Sequence, residues 1–182
     1  MKVYLDKESF DGEYAKYYPI VKKAIDTFNK EVLVKQLGIR SRSLRLTDRK
    51  RKADFLIECV SDARLTERMK HILSSNSNEK MIEVHKKRLS LYLTSLEATF
   101  SGGGEYVIPE DFLTEWVCKY IAYMLGVPFR FTDSDRYGEK SFQPYFGLML
   151  SPWCRFNRLS GNTYRLLPHE QAILADNIRK YG

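Results

Sequence analysis

A chain of 182 residues, 43% hydrophobic and 29% charged, is long enough to bury a core and too apolar for whole-chain disorder. No apolar run approaches the ~20 residues of a membrane span, and the opening MKVYLDKESFDGEY lacks the apolar core of a secretory signal, so a cytoplasmic protein is expected. The net charge is +7, and the three cysteines, Cys59, Cys118 and Cys154, are far apart with no CxxC pair, which argues against a disulfide framework or a zinc ribbon; no cofactor is expected.

In chain order, KVYL alternates apolar Val3 and Leu5 and reads as a short strand. From Pro19, the residues Val21, Ala24, Ile25, Phe28, Val32 and Leu33 recur at helical spacing up to Gly38, a natural cap. Residues 43 to 60 carry two competing patterns, taken up below. Leu65, Met69, Ile72 and Leu73 predict a helix over 62–74, and Met81, Ile82, Leu89, Tyr92, Leu93, Leu96 and Phe100 predict another over 79–100, stopped by Ser101-Gly102-Gly103-Gly104. Ile108-Pro109-Glu110-Asp111 starts a helix that is apolar nearly all round to Leu125, hence central, and Gly126 and Pro128 end it.

Beyond residue 128 the short runs FRF, FGLML, RFNRL and TYRLL predict strands, with a hairpin over 157–165 turning at Ser-Gly-Asn. PHEQAILADNIRKYG closes the chain as a helix. The expected architecture is one α+β domain over residues 1–182, with 101–104 as the place for any subdivision. It has a mainly helical core, a short N-terminal strand, a basic β-hairpin near residues 43–59 and a small C-terminal antiparallel sheet.

The positive charge is concentrated. Seven cations and one acid, Asp48, fall within residues 40 to 52, so six of the seven net charges sit in thirteen residues. A solvated surface is the ordinary reading of a charge run, but a local excess in an otherwise balanced chain is the footprint of phosphate contacts. As strands, Leu44 and Leu46 alternate before the tip Asp48-Arg49-Lys50-Arg51, and Ala53, Phe55, Ile57 and Cys59 alternate after it. As a helix, Ala53, Leu56, Ile57 and Val60 share a face, but Arg49 to Lys52 would crowd the positive end of the helix dipole. That argument favours a hairpin with a cationic tip. Arg40, Arg42, Arg45, Arg49, Lys50, Arg51 and Lys52 are the expected nucleic-acid contacts, because guanidinium forks bind phosphate bidentately and each neutralised phosphate releases counterions.

No catalytic residue is assigned. His71 and His85 have the chemistry of a metal-free ribonuclease, and Asp54 with Glu58, Asp133 with Asp135, or Glu110, Asp111 and Glu115 offer half of a magnesium site, but no spacing completes a set. SGGGEY lacks the GxxxxGK[ST] of a phosphate loop.

In its size, lone-domain organisation, local basic patch RSRSLRLTDRKRK and absence of a catalytic signature, the chain resembles type II anti-CRISPR proteins of phages and mobile elements. The resemblance is one of character over the whole chain, with no alignable motif. It implies an inhibitor whose partner is RNA or a ribonucleoprotein, namely an effector nuclease and its guide RNA, with RSRSLRLTDRKRK on the RNA. An RNA-cleaving nuclease or nuclease cofactor is the alternative, and a DNA-binding regulator a second one with no helix-turn-helix signature behind it.

Overall fold

Strand β1 (Lys2–Leu5) lies inside a five-stranded sheet with strands on both of its edges. The order is β2 (Arg45–Leu46), β1, β3 (Phe55–Cys59), β5 (Arg88–Leu91), β4 (Ile82–His85). The first four run parallel to one another and β4 is antiparallel to β5. This computed structural model describes residues 1–40, 43–60, 82–85, 87–93, 107–129, 148–149 and 164–181.

Alternation divides the sheet into two faces. Val3, Leu5, Phe55, Ile57, Cys59, Leu89 and Leu91 are buried and belong to one apolar cluster with the helices, while Lys2, Tyr4, Leu56, Glu58 and Arg88 on the opposite face are half-buried or exposed. Helix α1 (Tyr18–Thr27) carries the chain from β1 to β2 as the crossover that parallel neighbours require, and wider turns extend it over Phe28–Val34. Its predicted stripe is the buried one, and Gly38, at φ 66°, donates its N–H to the Val34 carbonyl at 3.1 Å to close it.

Helix α2 (Glu110–Met124) packs on α1 and against β4 and β5, in the central place its apolar circumference predicts. Approach to α1 is close: the Cys118 thiol donates to the Ala24 carbonyl at 3.2 Å, and burial pushes that thiol's pKa up. Helix α3 (Pro168–Arg179) begins where Glu170 accepts the Leu167 N–H at 2.7 Å, one half of a capping box.

The ends of α2 and α3 meet at Gly126. It sits at φ 92°, and a Cβ there would lie 2.4 Å from Nδ2 of Asn177, which itself donates to the Leu125 carbonyl at 2.9 Å. Gly126→Ala therefore meets both backbone strain and a clash, and is expected to lose about 1–3 kcal/mol, whereas Asn177→Ala loses roughly the ~1 kcal/mol of one hydrogen bond. Urea denaturation checks this as a lowered midpoint at unchanged slope; a Gly126→Ala midpoint equal to wild type would contradict it.

Two expectations are corrected. Residues 82–85 and 88–91 are strands, not part of a helix over 79–100. Ile82 and Val84, then Leu89, Leu91 and Leu93, alternate with period two, and the helical template matched because a rich apolar run satisfies both periods. The described sheet is N-terminal and mainly parallel; the small C-terminal antiparallel sheet expected beyond residue 128 falls mainly on residues outside the described ones.

The basic hairpin near residues 43–59 is also absent: β2 and β3 do not pair with each other but flank β1, both parallel to it. Alternation marks a strand but names neither its partner nor its direction. The link can be short because β2 has two residues and its ends attach to adjacent positions of β1, Thr47 N–H to the Val3 carbonyl and Asp54 N–H to the Lys2 carbonyl. Two strand spacings, about 10 Å, are within reach of the residues between. The helix over 62–74, the stop at 101–104, and the hairpin over 157–165 with its neighbouring strands lie outside the described residues.

Candidate nucleic-acid interface

Residues 47 to 54 are a crossover that passes from one edge of β1 to the other. Lys50–Lys52 form a single tight turn closed by Lys52 N–H to the Arg49 carbonyl at 2.9 Å and Ala53 N–H to the Lys50 carbonyl at 3.2 Å. The Lys50 ammonium lies 3.7 Å from the Asp6 carboxylate and 5.8 Å from the centre of the Tyr4 ring. Since Tyr4 projects from the face opposite Val3 and Leu5, the cationic turn lies on the open face of the sheet.

Parallel register gathers further cations there. Lys2 is the neighbour of Arg45, and Arg88 of Leu56, which in turn neighbours Tyr4. Register partners in a sheet share a face, so Arg45, Lys2 and Arg88 border the same surface as Tyr4 and Leu56. Arg88 is held by Glu58 at 3.4 Å, and Glu58 also accepts the Ser90 hydroxyl at 3.0 Å. At the adjoining edge the Lys87 ammonium lies 5.3 Å from the Tyr181 ring centre, and that ring meets Phe55 edge-on.

Of the residues expected from the sequence, Arg45, Arg49, Lys50, Arg51 and Lys52 are brought together and exposed. Arg40 is exposed too but lines a separate groove beside α3, and Arg42 lies outside the described residues. Among the described residues, Lys50 is the one member of this set that forms an ion pair. Charges left to solvent in this way contribute little to folding and are available to a polyanion. Lys2, Tyr4 and Leu56 were missed, because strand partners separated by more than forty residues leave no local signal; Arg88 is legible as a basic residue beside Lys86 and Lys87, but not as a neighbour of Leu56.

Of the candidate carboxylates, Asp54, Glu58, Glu110 and Glu115 are engaged in structure, and Asp111 is exposed. Asp54 accepts the Lys2 N–H at 2.6 Å, Glu110 pairs with Lys23, and Glu115 is buried with Lys119 at 3.6 Å. Among the described residues no three His, Cys, Asp or Glu side chains stand close enough to hold a metal ion. His71, Asp133 and Asp135 lie outside the described residues, as does the side chain of His85. No helix among the described residues is long and apolar enough to cross a membrane. Compared with family models, curated proteins and solved structures, the chain matches none.

Proposed function

We propose that this protein binds RNA, alone or within a ribonucleoprotein, through the cationic crossover and the open sheet face around Tyr4. The observation that carries the reading is the exposure of Arg45, Arg49, Arg51 and Lys52 on and beside the crossover, with no acid partner among the described residues. Because the turn lies back on the sheet rather than projecting as a ribbon, it does not suit insertion into the major groove of duplex DNA. A flat face with apolar Tyr4 and Leu56 between cations suits the splayed bases and phosphates of single-stranded or looped RNA.

In the cytoplasm of an infected cell, the matching role is that of an inhibitor acting on the guide RNA of a CRISPR effector nuclease. The test is a titration of labelled hairpin RNA and of duplex DNA of equal length at several salt concentrations. RNA is expected to bind more tightly than the duplex, with affinity falling steeply with salt. Equal binding of the duplex would move the reading to a DNA-binding regulator, and shortened RNA in the same lanes would move it to a nuclease. No binding of either would overturn it.

A further inference from the structure

A groove of about 470 Å³ lies between the loop that closes α1 and the last turns of α3. Leu37 and Ile39 form one wall and Ala175 and Ile178 the other; Ile178 is fully buried, so the floor is core side chain. The left-handed turn at Gly38 sets Leu37 and Ile39 on either side of a bend, and a Cβ on Gly38 would meet nothing within 4 Å, so the space above the bend is open. Two arginines stand at the rim. Arg179 is tethered to Asp176 at 2.9 Å, one turn earlier on α3. Arg40 is exposed and has no acid partner among the described residues.

We propose that this groove binds a small amphipathic anion, a molecule with an aliphatic body and a single carboxylate head. The volume is that of sites for small organic molecules, which combine a mostly apolar lining with a few placed polar groups. The aliphatic walls exclude a polar body, and the neighbouring guanidinium fork matches a carboxylate with two parallel hydrogen bonds. Asp176 already neutralises Arg179, so Arg40 supplies the charge that the head answers. This site is separate from the crossover surface and does not rest on the RNA reading.

The experiment is calorimetric titration of the whole protein with decanoate below its micelle concentration, with decanol as the neutral counterpart. Decanoate is expected to bind saturably at one site, with decanol weaker by about tenfold. Arg40→Ala should weaken decanoate by about tenfold, and Ala175→Trp, which fills the groove, should remove binding. Thermal melting establishes that each variant is folded, and Arg40→Ala, on an exposed residue, carries the test if Ala175→Trp does not fold. Absence of saturable decanoate binding, equal binding of decanol, or unchanged binding in folded Ala175→Trp would each overturn the proposal. So would unchanged binding in folded Arg40→Ala.

Discussion

Replacing Arg49, Lys50, Arg51 and Lys52 together by alanine is expected to weaken RNA binding on the order of a hundredfold near physiological salt while leaving the fold intact. Each contacted phosphate contributes about 0.7 to the slope of log affinity against log salt for a single strand. Four lost contacts should therefore flatten that slope by roughly 3, and the affinity difference should shrink as salt rises. All four side chains are exposed, and the crossover keeps its backbone bonds, Thr47 and Asp54 to β1 and Lys52 and Ala53 within the turn, while the Lys50–Asp6 ion pair is lost. Surface substitutions of this kind change stability by about 0.5 kcal/mol or less each. Filter binding across salt, beside a melting curve, separates the two effects. A variant with the wild-type slope would mean that the crossover touches no phosphate.

The largest effect on stability is expected at Lys119. It is 2% exposed, one turn from Glu115 on the buried side of α2, with the two charged groups 3.6 Å apart. Removing Lys119 takes from the buried Glu115 carboxylate a counterion 3.6 Å away, and breaking a buried pair of this kind costs about 3–5 kcal/mol. Lys119→Ala also removes the apolar stem that fills the core. For a chain of this length each kcal/mol lowers the melting temperature by about 2–4 °C, so a fall of roughly 10 °C or more is expected. Glu115→Gln combined with Lys119→Met, which removes both charges at similar volume, should recover part of the loss. A double-mutant cycle by thermal and urea unfolding reads the coupling; additive single losses would show that the pair is not coupled.

Where local rules govern, the sequence was a sufficient guide. The stripe from Val21 to Leu33, the stop at Gly38, the Pro109-Glu110-Asp111 start and the all-round apolar character of α2 follow from the 3.6-residue period and from capping, and the structure follows them. The closing helix is Pro168–Arg179. Strand partners are another matter. Arg45 beside Lys2, and Phe55 beside Val3, are contacts across 43 and 52 positions of chain, settled by the global competition for the two edges of β1. The alternation of residues 44 to 59 held that two strands exist but could not say that β1 lies between them.

The same blindness shaped the site. Charge density in residues 40 to 52 is a local property and was legible, and the dipole argument against placing Arg49 to Lys52 in a helical first turn agrees with the extended β3 that follows. That the turn rests on Tyr4 and reaches Asp6, rather than projecting into solvent, is a tertiary fact. In residues 82 to 93 the misreading had another source: Leu89, Leu91 and Leu93 alternate, yet Leu89 and Leu93 with Ile82, Tyr92 and Leu96 also fill a helical face, from which Leu91 alone stands apart.

If RNA meets the open face of the sheet at the crossover, nuclear magnetic resonance of isotope-labelled protein titrated with a short single-stranded RNA should locate it there. Shifted amides are expected at Tyr4, Arg45 and residues 49 to 52, with a shifted Tyr4 ring and unmoved signals from the buried turns of α1 and α2. Shifts confined to α3 or to any surface other than that face, with Tyr4 and the crossover unmoved, would contradict it.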